Sequence, residues 1–527
     1  MRKLLVLTLL LLLVFSAVAF AQDGERQLRI TFSWPTAIDP AAGDDFSSSH
    51  ALINLYDTLG YPDKNNEVQP WLAESWEISD DNLTFTFNLR QGVMFHDGTE
   101  LLASDVVYSI NRLNDIGEGF AYLVPDAAAA ALDDYTVQFT LDQPDPLFVP
   151  RLLRLYILNE DLVRANYDME STLYGEHGDY GRNWLLTNSA GSGPYMVIDY
   201  PLVGYLEMAR WDGWWNAENF VENVADVVTY VDTTEAATVR SLMLNDELEI
   251  TDNWQTIEAL QSLDAIDGID VKAFRSLTAF YFMMNTRLAP LDDVHCRRAL
   301  AWAYDYDQVV ALEWPGTVSM IGPVPRNIDG HTSDLTIYSR DLDKAREELA
   351  QCQYADNIAD YPIDVHWISQ VPAEEQFALL FQANMADIGV PVNVLSTPWG
   401  TVVENASTQE TSPHIVTIYT ASDWPEAGFM LQQRYHSSTA NTWQQNEWLL
   451  DEDLDARIEN SLLIMDQEER YAEYASLQRE IADQAYSLFL YDQRNKHAFK
   501  TFVDWHPEEN SGVMGYQIFA PFIGVDS

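Results

Sequence analysis

Between residues 83 and 89 the apolar side chains Leu83, Phe85, Phe87 and Leu89 alternate with Thr84, Thr86 and Asn88. This is the period-two pattern of a strand with one buried face. The polar run Ser79-Asp80-Asp81-Asn82 joins it to the stretch at 76–78, and such runs turn readily, so a hairpin is expected. Gly98 then breaks the chain. Val106, Ile110 and Leu113 follow at i, i+4 and i+7, the spacing of one helix face. Asp105 falls in the first turn of that helix, where a carboxylate suits the positive end of the helix dipole. The same reading places a first strand after residue 27, a helix over 50–59 and a strand over 136–141 that runs into Pro144, Pro146 and Pro150. Later it places a helix capped by Asp292 or Asp293 with Ala299, Trp302 and Ala303 on its apolar stripe, an amphipathic helix Leu342–Leu349, an apolar strand over 414–419 and a long helix over 467–485.

The first residues change the picture from fold to location. Arg2 and Lys3 precede an apolar stretch at 4–14, and Ala19-Phe20-Ala21 follows as a small-residue cleavage site, the pattern of a secretory leader. The apolar stretch is shorter than the ~20 residues a membrane span needs. A soluble exported protein, periplasmic or secreted, is expected, with residues 1–21 removed and no cysteine near the cut to carry a lipid. About 500 mature residues imply two or three domains. The 47% apolar content supplies their cores, and the 16 Trp and 26 Tyr suit a large amphipathic ligand cavity.

The formal net charge is −53; without Arg2 and Lys3 the chain has 27 basic against 82 acidic side chains. Such a surface repels phosphates and anionic lipids, which excludes nucleic acid as an expected partner. Only six of the 29 basic residues of the full chain are Lys. Acidic, Lys-poor surfaces resemble those of halophile proteins, whose self-repulsion is screened as the Debye length falls from ~10 Å to ~3 Å between 0.1 and 1 M salt; an ordinary acidic secreted protein, or one working at low pH, is the other reading. Cys296 and Cys352 are the only cysteines. In an exported chain such a pair reads as one disulfide. Catalytic machinery is not evident: there is no H-E-x-x-H helix, G-x-S-x-G elbow or phosphate loop, and no two of the ten His stand at i, i+4. No catalytic residue, metal or cofactor is expected. A pair of glycosidase carboxylates among 82 acidic residues is a matter of three-dimensional separation, so an exported acidic hydrolase stands as the alternative of another class.

Residues 71–112, WLAESWEISDDNLTFTFNLRQGVMFHDGTELLASDVVYSINR, closely resemble the signature of the peptide-binding family of extracellular solute-binding proteins, the receptors of dipeptide and oligopeptide ABC importers. Leu102 departs from it, standing where the family usually has a capping Thr or Asn. Other matches lie in family order. Asp39-Pro40 precedes Leu55 and Leu59; Gly191-Ser192-Gly193-Pro194-Tyr195 leads to Trp215; residues 282–310 carry N-T, P, D-D, R and A; and Glu469-Arg470 opens the last helix.

The resemblance implies an α/β fold, a two-lobed periplasmic-binding-protein-like clamshell with an extra subdomain on the first lobe. The first lobe would comprise 22–50, 187–278 and 497–527, the extra subdomain 51–186, and the second lobe 279–496, with hinge crossings near 278 and 497. It further implies a monomeric peptide receptor that serves an ABC permease and ATPase. Family members also take nickel complexes, opines or oligosaccharides, so a non-peptide ligand is the alternative within the fold. In peptide-binding members a strand ends in an Asp that pairs with the ligand α-amino group, and Asp423 stands at that place here. Tyr419, Thr420 and Ala421 would lend backbone groups to the ligand. Trp399 matches a ligand-facing Trp that opens the next helix, and Asp44, Asp45 and Phe46 fall on the opposing pocket segment. No residue was found as a partner for a peptide carboxylate.

Overall fold

The alternating segment is the strand Thr84–Leu89, paired antiparallel with Ala73–Ile78 in a computed structural model that describes residues 25–526 apart from 33, 34, 36, 124–126, 202 and 203. The leader read at 1–21 lies outside the described residues. Phe85, Phe87 and Leu89 are buried while Thr84, Thr86 and Asn88 face outward, so each buried ring or Leu side chain contributes about 1.5–3 kcal/mol by leaving water. Thr136–Thr140 and Ala128–Asp133 complete a four-stranded antiparallel sheet. The helix Ala103–Ile116 packs on it through Val106, Ile110 and Leu113. Leu102 offers no capping oxygen, but the Asp105 carboxylate accepts the Leu102 N–H at 2.9 Å, which supplies the return half of a capping box.

Two further sheets carry the lobes. One has the order Gln27–Phe32, Val227–Asp232, Tyr205–Arg210, Tyr195–Asp199. The other has six strands in the order Val318–Ser319, Ser487–Lys500, Ile269–Met284, Ile415–Ala421, Ile363–Ile368, Val392–Thr397. Ile269–Met284 and Ser487–Lys500 pair along most of their length, with a register shift between Arg275 and Ala279. Ile250 bridges Ile30 on one side and Phe499 on the other, so these two strands tie the first sheet to the second. The result is an α/β molecule of two lobes, with the antiparallel hairpin sheet as an addition to the first.

Several motif residues build the frame rather than a site. Arg112 donates to both oxygens of Asp39 at 2.7 Å and to the Tyr180 carbonyl at 2.9 Å; its side chain is fully buried. Gly191 and Gly193 let the chain press on the end of the first helix. A Cβ would lie 1.9 Å from the Leu55 carbonyl oxygen at Gly191 and 2.5 Å from the Leu55 carbonyl carbon at Gly193, contacts that only glycine avoids. His96 Nε2 donates across the same turn to the Gly193 carbonyl, at 2.9 Å. Asp57 gathers the indole N–H groups of Trp71 and Trp215 and the Ser192 hydroxyl.

One helix is placed differently from the sequence expectation. It spans Phe46–Leu55, four residues earlier than 50–59, because Asp45 accepts the Ser48 N–H and starts it there. Tyr56 is already extended, so Leu59 lies beyond the helix. The helix over 467–485 is Gln467–Gln484, and Asp293, not Asp292, caps Val294–Ala303. Cys296 on that helix is joined to Cys352. Among the described residues no helix is long and apolar enough to cross a membrane.

Candidate functional site

The strand Ile415–Ala421 is buried throughout and runs along the face where the two lobes meet. On one edge it pairs with Ile269–Met284 as far as Ala421. On the other edge its parallel neighbour Ile363–Ile368 engages only Ile415 and Val416. Tyr419, Thr420 and Ala421 therefore have a neighbouring strand on one side alone, the geometry that accepts an added strand.

Beside that edge is a cavity lined by Asp45, Phe46, Ser47 and Trp254 from one lobe and by Ile368, Gln370, Val371, Glu374, Trp399, Ile418, Tyr419 and Trp443 from the other. Five aromatic rings make its walls. Trp254 packs 5.0 Å from Tyr419 and 5.3 Å from Phe46, and Trp399 packs edge-on to Trp443 at 5.2 Å between centroids. Tyr419 stacks on Phe280 at 4.3 Å and shares a hydrogen bond with the Tyr491 hydroxyl, which fixes the ring. The Trp254 backbone N–H donates to Asp252 Oδ1 at 2.8 Å.

Hydrogen bonds close the lobes over this cavity. The Trp399 indole donates to Asp45 Oδ2 at 3.3 Å, and the Trp443 indole and Gln444 amide donate to the two oxygens of Asp44 at 3.4 and 3.0 Å. Thr234 donates to the Gln370 carbonyl at 2.7 Å. The side chain of Asp44 is enclosed by these donors and by two like charges. Burial, then Asp45, and more weakly Asp423, push its carboxyl up to about 7, against the indole and amide bonds that favour the anion.

Asp423 lies just past the strand and is 2% exposed. Its Oδ2 accepts the Tyr122 hydroxyl at 2.8 Å, and the Arg154 Nε stands 3.2 Å from Oδ1. Burial pushes the Asp423 carboxyl above its usual range, and Arg154 and Tyr122 hold it down. Oδ1 has no hydrogen bond, nor has Arg154 Nη2; Arg154 Nη1 donates to the Met514 carbonyl at 3.1 Å.

Of the residues expected from sequence, Asp45, Phe46, Trp399 and Tyr419 line one cavity. Asp44 is bonded to Trp443 in the cavity wall and to the adjacent Gln444, while Thr420, Ala421 and Asp423 do not line the cavity. Sequence reasoning missed Trp254, Trp443 and Glu374 in the walls, and Tyr122 and Arg154 at Asp423. No local pattern marks them: the two Trp are among sixteen, and Glu374 reads as an ordinary first-turn acid.

The enclosed carboxylates make closure sensitive to pH. Opening would part Asp44 from Trp443 and Gln444 and return its pKa towards the usual ~4. Its raised value in the closed arrangement means that closing takes up a proton. This contribution to closure is complete below about pH 4 and is lost as pH rises through about 7. Small-angle scattering of the protein without added ligand is expected to give a smaller radius of gyration at pH 5 than at pH 8, with Asp44→Asn flattening the difference. A radius that grows as pH falls would refute the assignment.

A two-lobed α/β clamshell with its cavity between the lobes is the architecture of a solute-binding protein. The chain matches the family of bacterial extracellular solute-binding proteins, family 5 Middle, over residues 67–442, and belongs to it. The probable D,D-dipeptide-binding periplasmic protein DdpA of Escherichia coli K12 is 27% identical over 473 residues, 87% of each chain. The dipeptide-binding protein of the same organism is 25% identical over 445 residues, 78% of this chain and 79% of the relative. Among solved structures, the periplasmic binding protein DppA of Helicobacter pylori in complex with the peptide STSA has a TM-score of 0.81 at 22% identity, covering 95% of this chain and 98% of that one. NikZ of Campylobacter jejuni, in complex with Ni(L-His), also has a TM-score of 0.81, at 18% identity, covering 94% and 99%. These likenesses establish the fold; they do not choose a ligand.

Proposed function

We propose that this protein is the substrate-binding receptor of an ABC importer, capturing peptides between its lobes and delivering them to a membrane permease and its ATPase. The observation that carries the reading is the half-paired strand at Tyr419–Ala421, which ends at a buried carboxylate beside an aromatic cavity. A peptide added to that edge gains sequence-neutral main-chain hydrogen bonds. Its ammonium would take Asp423 Oδ1, the oxygen without a hydrogen bond, while Tyr122 keeps Oδ2. A buried ammonium needs such a counter-charge, because leaving it unpaired costs several kcal/mol.

In this reading the protein is an exported monomer that catalyses no reaction and needs no cofactor. Its first lobe comprises 22–50, 187–278 and 497–527, its extra subdomain 51–186 and its second lobe 279–496. The long strands Ile269–Met284 and Ser487–Lys500 act as the hinge, near 278 and 497, and the register shift after Arg275 supports flexing there.

One observation favours a second reading within the same fold. Arg154 already gives Asp423 a positive neighbour, which suits a ligand that has no free ammonium. Calorimetry with a dipeptide and tripeptide panel and with the same peptides N-acetylated separates the two. Free peptides should bind and acetylated ones fail, with the radius of gyration falling on binding. Equal binding of both sets, or binding by none, would sink the peptide reading; native mass spectrometry of the purified protein would then name the ligand it carries.

A further inference from the structure

Glu374 sits at the base of the cavity, on the helix Ala373–Ala386, and is wholly buried. Its Oε2 accepts the Ile368 N–H at 2.8 Å and the Thr417 hydroxyl at 2.6 Å, so one oxygen staples the helix to two strands. The other oxygen, Oε1, has no hydrogen-bond partner. Among the described residues no basic side chain lines the cavity or is ion-paired with Glu374 or Asp45. A buried carboxylate without a countercharge is costly, and burial accordingly pushes Glu374 up to about 8.

What surrounds it suits a cation. The rings of Phe46, Trp254, Trp399, Tyr419 and Trp443 present π-faces and edges around the cavity, and a cation over such faces is attracted by their quadrupoles. Asp45 adds a negative charge from the opposite lobe. We infer that this cavity is a side-chain subsite for a cationic residue of the bound peptide, an ammonium or guanidinium whose charge is met by Glu374 Oε1 and whose apolar stem lies between the aromatic walls. The inference rests on the peptide reading above and adds a side-chain preference to it. The staple through Oε2 is structural; the unbonded Oε1 is what a merely structural role leaves unexplained.

The test uses the whole protein and trialanine variants that carry Lys, norleucine or Glu at each position in turn. Measurement at 0.5 M salt screens the long-range field of the acidic surface. Norleucine matches the Lys stem and lacks its charge. At one position Lys should bind roughly tenfold or more tightly than norleucine, with Glu weakest, and Glu374→Gln should remove most of that advantage, read as the ratio of Lys to norleucine affinity within the variant itself. The Lys and norleucine comparison on the wild-type protein stands even where the variant does not fold. Binding of tripeptides with no Lys advantage at any position overturns the inference alone, as does an advantage that survives intact in a folded Glu374→Gln. Binding of no tripeptide overturns the peptide reading and the inference with it.

Discussion

Asp423→Ala is expected to lower peptide affinity by about 2–5 kcal/mol, the loss seen when one side of a buried charge pair is truncated. The carboxylate is 2% exposed and its Oδ1 faces Arg154 Nε at 3.2 Å without a hydrogen bond. An ammonium arriving there would share an anion with a guanidinium, so the gain from pairing is smaller than for a lone Asp. The variant also strips Arg154 of its ionic partner, and buried Arg154 would then keep only the Met514 carbonyl and the Tyr156 hydroxyl. A loss of thermal stability is therefore expected together with the loss of affinity. Calorimetry and thermal unfolding on the same preparation separate the two effects. Lower stability with unchanged peptide affinity would mean that Arg154 is the permanent partner of Asp423 and that the ligand ammonium binds elsewhere.

Arg112→Ala should destabilise the fold by about 3–5 kcal/mol, because it leaves the Asp39 carboxylate buried without its cation. The pair is bidentate, with both bonds at 2.7 Å, and the Arg side chain is fully enclosed. It joins the opening segment, where Asp39 also accepts the Ala41 N–H at 3.0 Å, to the end of the signature helix. Removing both charges is less harmful than removing one, since no uncompensated ion remains. Arg112→Met combined with Asp39→Asn should accordingly unfold at a higher denaturant concentration than Arg112→Ala. Denaturation followed by tryptophan fluorescence would check this; a single variant that loses less than about 1 kcal/mol, the scale of an exposed pair, would show that the bridge contributes little.

Much of the frame was legible along the chain. Alternation at 83–89 and the apolar face at Val106, Ile110 and Leu113 are local signals with local causes, and each resolves into the expected strand or helix. The first helix starts before residue 50 because the Asp45 carboxylate caps it through Oδ1, while its Oδ2 takes the Trp399 indole from across the cavity. Acidity, the cysteine pair and the family's motif order were likewise properties of the sequence by itself.

The site was decided by tertiary structure. Trp254 and Tyr419 are 165 residues apart in sequence, and Asp44 and Trp443 nearly 400, so no window of the chain contains a wall of the cavity. The charge state of Asp423 depends on Arg154 and Tyr122, which the fold brings to it from about 270 and 300 residues away. Glu374 looks like any first-turn carboxylate until the fold buries it and satisfies only one of its oxygens. Secondary structure follows from near neighbours, whereas desolvation and pairing are set by whatever the closed lobes place within a few ångströms, and that is a property of the assembled molecule alone.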